Sequence, residues 1–106
     1  MNTYTLNRSH TFNDELQRHI LYVATQFSRE TAYQVLERIE QSIGNLKHHP
    51  FMGKKLNIKE IKARNIRVLI LEKLILFYTV TEKTKTINLI SLLDQRQDYE
   101  HVLMGL

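Results

Sequence analysis

A few side chains in this chain are of the right type to act on a charged substrate. Arg67 stands in an alternating apolar run, Tyr78 ends a longer one, and Arg96 and Tyr99 share the C-terminal tail. Gathered on one sheet face, the cations could steady a phosphorane-like transition state while a tyrosine relayed a proton. The plainer reading makes Tyr78 a core residue and Arg67 a surface one, and the residues alone favour it. Lys54, Lys55, Lys59, Lys62 and Arg64 extend the basic set. A lysine serving as a base would need its pKa brought well below ~10.4, which neighbouring cations achieve in part.

Other chemistries have weaker footing. The chain contains no GxxxxGKS/T or GxGxxG phosphate cradle, no HExxH, no CxxC and no GxSxG elbow. Asp94 and Asp98 sit four apart in the tail, where a solvated or capping role outweighs acid–base work. The stretch LKHHPFMGKKL, residues 46–56, holds the only proline and an adjacent histidine pair, His48 and His49. Neighbouring residues on a helix point about 100° apart, and no carboxylate or cysteine stands nearby, so no metal site is expected there. No cofactor is expected either.

Charge separates one segment from the rest. Between Lys54 and Lys73 seven basic residues face two acidic ones, a local +5, against a net +4 for the 106-residue chain. Such a patch suits a polyanion or an acidic partner protein, or else is a solvated face. The length fits one domain, residues 1–106. With no cysteine, no leader-like N-terminus and no window approaching ~20 apolar residues, the expectation is a cytoplasmic protein that does not enter membranes.

The elements follow from periodicity. TYTLN alternates as a short strand. Phe12, Leu16, Ile20, Val23 and Phe27 form one helical stripe from Thr11 onward, with His19 at its boundary. Ser28 is positioned to cap a second helix carrying Ala32, Val35, Leu36, Ile39, Ile43 and Leu46, and the pair should pack as an antiparallel hairpin. That helix is expected to end before Pro50, with His48 and His49 in its last turn and Gly53 at positive φ. NIRVLIL (65–71), LILFYTV (74–80) and TINLISLL (86–93) read as strands, the middle one buried on both faces. Tyr99, Val102 and Leu103 could dock a weakly helical tail. The fold class expected is α+β, ordered β-α-α-β-β-β, with the helical hairpin on one face of an antiparallel meander.

HHPFMGKKL, IRVLILEKLILFYTV and ISLLDQRQDYEHVL, in that order, resemble the corner, the paired strands and the closing motif of the RelE/ParE superfamily. Members are toxins of bacterial type II toxin–antitoxin modules. The resemblance runs almost end to end. It implies either a metal-free endoribonuclease that cuts messenger RNA on the ribosome, or a poison of DNA gyrase. For a ribonuclease it would assign catalysis to Arg64, Arg67, Arg96 and Tyr99, and RNA or target binding to Lys54, Lys55, Lys59, Lys62, Arg64 and Arg67. RelE-like members commonly place an arginine shortly before the central-strand tyrosine, where this chain has Leu74 to Phe77. Many also carry histidine or tyrosine where this chain has Asp94. The long helical hairpin is closer to the ParE side.

The resemblance therefore implies a toxin that inhibits growth as a ParE-like gyrase poison. The alternatives are a ribosome-dependent messenger RNA endoribonuclease, and a non-toxic antitoxin-binding module in a DNA-bound repressor complex. In each case a cognate antitoxin should wrap the domain, with Phe51, Met52, Leu56 and Leu103 among its contacts. DNA would be reached only through that antitoxin.

Overall fold

The computed structural model describes residues 3–56 and 65–95. Strand β1 (Thr5–Arg8) leads into helix α1 (His10–Gln26), and helix α2 (Arg29–Leu46) follows almost at once. Both helices start on serine caps. Ser9 Oγ accepts the Phe12 N–H at 2.9 Å, and Ser28 Oγ accepts the Thr31 N–H at 3.0 Å. Phe12, Leu16 and Val23 are buried on α1, and Ala32, Ile39, Ile43 and Leu46 on α2. Two expectations are corrected here. Phe27 does not complete the buried stripe: α1 stops at Gln26, and Phe27 caps it at φ −122°, ψ −83°, leaving its ring 71% exposed. His48 and His49 lie beyond α2, which closes at Leu46.

The remaining strands are β2 (Lys54–Lys55), β3 (Arg67–Leu71), β4 (Leu74–Thr81) and β5 (Thr86–Asp94), in sheet order β1-β5-β4-β3-β2. The α+β class and the antiparallel β3–β4–β5 meander are as expected, and the two-residue β2 adds an antiparallel rung to β3. The sheet as a whole is mixed. β1 runs parallel to β5, with Thr5 opposite Thr86 and Arg8 opposite Leu89. Strand alternation in a meander fixes only the directions of β3 to β5. β1 reaches the free edge of β5 from a distant part of the chain, and its own alternation carries no information about direction.

As the central strand, β4 buries all of Leu74 to Tyr78. Leu74, Leu76 and Tyr78 join the helices in the main core, while Ile75 and Phe77 share the opposite face with Ile66 and Leu93. The β3–β4 turn places Glu72 at φ 56°, and Arg38 of α2 forms an ion pair with that residue. Between Phe77 and Tyr78 the register with β5 slips, so that Phe77 faces Ser91 but Tyr78 faces Leu89, leaving Ile90 as a bulge. β1 ends at the same level, and α1 takes over its hydrogen-bonding role. The Ser9 N–H donates to Leu89 O at 3.0 Å and the Ser9 hydroxyl to Ile90 O at 2.7 Å. Glu15 then accepts the Ser91 hydroxyl at 2.7 Å and the Leu92 N–H at 2.9 Å. Among the described residues, no helix is long and apolar enough to cross a membrane.

Candidate functional site

The proline corner and the arginine-led strand meet at one edge of the sheet. Past Leu46 the chain turns, with the Met52 N–H donating to His49 O at 3.1 Å and Pro50 buried. Gly53 then passes directly over the end of β4. Its N–H donates to the Tyr78 hydroxyl at 2.8 Å. A Cβ at this position would lie 2.6 Å from Val68 O and 2.7 Å from Tyr78 Oη. No described glycine has positive φ, which corrects the expectation for Gly53. Glycine is needed here because two chains approach closely, and left-handed backbone has no part in it.

Arg67 holds the same corner from the other side. It faces Tyr78 across the β3–β4 ladder and Lys55 across the β2–β3 ladder. Its Nη1 donates to Gly53 O at 2.7 Å, and its guanidinium lies 4.9 Å from the centre of the Phe51 ring. Tyr78 is fully buried. Burial raises its hydroxyl pKa above the ordinary value of 10, against smaller opposing effects of the Gly53 N–H and Arg67. It therefore stays protonated at neutral pH and is walled off from a substrate. Of the four side chains singled out for chemistry, the two within the described residues are thus employed in structure, Tyr78 as a buried acceptor for the corner's backbone and Arg67 as a clamp on it.

Around this clamp the surface is open and basic. Lys54 and Lys55 are exposed on β2 and Phe51 and Met52 are exposed in the turn before it, whereas Leu56 packs partly against the outer core. Phe51, Lys55, Asn65, Arg67, Val80 and Glu82 line a cleft of about 310 Å³. The structure thus brings Phe51, Lys55 and Arg67 together, whereas Lys54, opposite Val68 on the strand, projects from the other face of the sheet. Lys59, Lys62, Arg64, Arg96, Tyr99 and Leu103 lie outside the described residues. Among the described residues, no three His, Asp or Glu side chains converge to hold a metal. At the far end of the sheet His19 is half-buried, and burial lowers its pKa while Asp94 and Glu72 pull it upward. The Glu15–Ser91 bond was not anticipated. A serine in the otherwise apolar run LISLL was the available clue, since a buried hydroxyl needs a partner.

A family model, the ParE toxin of the type II toxin–antitoxin system parDE, matches residues 6–99. Among solved structures, the chromosomal ParDE toxin–antitoxin system of P. aeruginosa is similar over 89% of this chain and 98% of that one. The TM-score there is 0.71 at 14% identity. The RelBE2 toxin–antitoxin complex of Mycobacterium tuberculosis is similar over 87% of this chain and 98% of its own, with TM-score 0.57 at 17% identity. At such identities the likeness is one of fold. No curated protein sequence matches the chain.

Proposed function

Because this chain belongs to the ParE toxin family of type II toxin–antitoxin systems, we propose that it inhibits bacterial growth by binding DNA gyrase in the cytoplasm. A cognate antitoxin neutralises it, as the toxin–antitoxin complexes among its structural neighbours support. The observation that carries the gyrase reading is the structural employment of Arg67 and Tyr78. Arg67 is bonded to Gly53 O and stacked on Phe51, and Tyr78 is sealed beneath Gly53. The buried Leu74 to Phe77 run supplies no cation to replace them. The exposed Lys54 and Lys55 then belong to recognition, meeting acidic groups of the target or of the antitoxin.

One observation favours the ribonuclease reading. The cleft beside Lys55, Asn65 and Arg67 is open to a polyanion. Two assays on the purified protein separate the readings. Messenger RNA ends are mapped in a cell-free translation reaction, and supercoiling by gyrase is followed in parallel. Intact message with inhibited supercoiling is expected. Cleavage at codons, seen only with ribosomes present, would overturn the gyrase reading and make the protein an enzyme. If the protein affected neither assay yet bound its antitoxin, it would be a non-toxic module reaching DNA through that antitoxin.

A further inference from the structure

The cleft beside the proline corner is polar at both ends. At one end Lys55 and Arg67 stand opposite each other across the β2–β3 ladder, where like charges repel. Nη1 of Arg67 is committed to Gly53 O, but the other donors of its fork have no partner among the described residues. The cleft continues along Asn65 and Val80 to Glu82. Among the described residues, neither Lys55 nor Glu82 belongs to an ion pair. We propose that this cleft binds a guanine nucleotide, its phosphate held by Lys55 and Arg67 and its base edge by Glu82.

The spacing of the two ends suits such a ligand. Arg67 faces Tyr78 on β4, and Glu82 comes four residues after Tyr78. At ~3.4 Å per residue that is about 14 Å along the strand. Side chains reaching inward from both ends shorten the gap to the length of a nucleoside monophosphate. Between the ends lies Val80, and the Phe51 ring also lines the cleft, 45% exposed. These give the middle of the cleft an apolar surface for the faces of a sugar and a base. The volume of about 310 Å³ stands at the lower end of the range for small-ligand sites.

The carboxylate selects both the class of ligand and the base. A polyanion running through the cleft would bring a second phosphate against Glu82 and be repelled there. A ligand with an anion at one end and N–H donors at the other satisfies both ends. An ionised carboxylate only accepts hydrogen bonds. Guanine presents N1–H and an N2 amino group side by side, one donor for each carboxylate oxygen, whereas adenine presents a bare N1 acceptor on the same edge. Asn65 has an exposed amide that supplies a donor for guanine O6. Its backbone sits at φ 54°, which asparagine tolerates, so the amide must be tested apart from the backbone. The proposal is independent of which cellular target the protein inhibits.

Isothermal titration calorimetry on the purified full chain, free of antitoxin, tests this with 5′-GMP, 5′-AMP, guanosine and inorganic phosphate. GMP is expected to bind with a Kd on the order of 100 μM, and each of the others about tenfold more weakly. Glu82→Gln, at an exposed turn position, should weaken GMP about tenfold and close the gap to AMP. Lys55→Ala should weaken GMP about tenfold more than it weakens guanosine. Asn65→Gly keeps the left-handed backbone and removes only the amide, and it should weaken GMP without weakening AMP. No binding of GMP at about 1 mM overturns the proposal. So does a GMP affinity that Glu82→Gln and Lys55→Ala both leave unchanged. Equal affinities for GMP, AMP and phosphate would reduce the cleft to an anion site and overturn the assignment of the base. Tighter binding of a short RNA ending in guanosine would make RNA the source of the guanine, and weaker binding of that RNA would make it a free nucleotide; guanine is the recognised group in both results.

Discussion

Removing one oxygen atom from the buried corner tests whether Tyr78 serves structure. In Tyr78→Phe the ring still fills its site, but the Gly53 N–H loses the acceptor it now reaches at 2.8 Å. Gly53 is buried, so water cannot readily replace that acceptor. A buried donor left unpaired costs about 1–3 kcal/mol, more than the ~1 kcal/mol net value of an ordinary hydrogen bond. For a domain of this size 1 kcal/mol moves Tm by about 4 °C, so the variant should melt roughly 4–12 °C lower. Thermal and urea unfolding followed by circular dichroism measure the loss. A double-mutant cycle with Gly53→Ala locates it. The added methyl would lie 2.7 Å from the hydroxyl and 2.6 Å from Val68 O. Taking away the hydroxyl relieves the first clash and leaves those with Val68 O and with the ring Cε1 at 2.9 Å, so the double variant should be less destabilised than the sum of the two singles. Should Tyr78→Phe prove as stable as wild type, or the two changes prove additive, the hydroxyl does not secure the corner. The structural reading of Tyr78 would then fall.

Two more outcomes are expected. Glu15→Ala should cost about 1–3 kcal/mol in urea unfolding by orphaning the Leu92 N–H and the Ser91 hydroxyl, whereas Glu15→Gln, which keeps an acceptor oxygen, should recover most of it; equal losses would argue against the bond. Stability should also depend on alkaline pH through Tyr78. Its folded pKa lies above the unfolded value of about 10, so its contribution is fully present below pH 10 and declines as pH rises through the folded value, and Tyr78→Phe should remove that part of the slope.

The sequence made the local structure legible and left the long-range structure hidden. The helical stripes, the Ser28 cap and the buried run from Leu74 to Tyr78 depend on spacing within a few residues, and all appear in the fold. Phe27 shows the limit of that reasoning, because periodicity does not say where a helix stops. The parallel β1–β5 pairing joins residues 81 positions apart, for which a single strand's alternation carries no signal. The corner was partly legible. Its turn residues pointed to a change of direction at Pro50 and Gly53. The need for glycine became visible only once Val68 and Tyr78 were placed against it. Of the candidate residues, Phe51, Lys55 and Arg67 line one cleft, but Arg67 is committed to the backbone in a way that a count of cations could not foresee.

The pairing of β1 with β5 also bears on when the sheet can be completed. The helical hairpin is stabilised by contacts close in sequence, which form in microseconds. β1 has no partner until Thr86 to Leu89 have been made. At 5–20 residues per second, a ribosome needs roughly 4–16 s to travel from β1 to that point. Throughout that interval the nascent chain holds an unpaired strand and an incomplete sheet. Completion of the sheet is therefore deferred until Leu89 has been made, well after the helical hairpin can form.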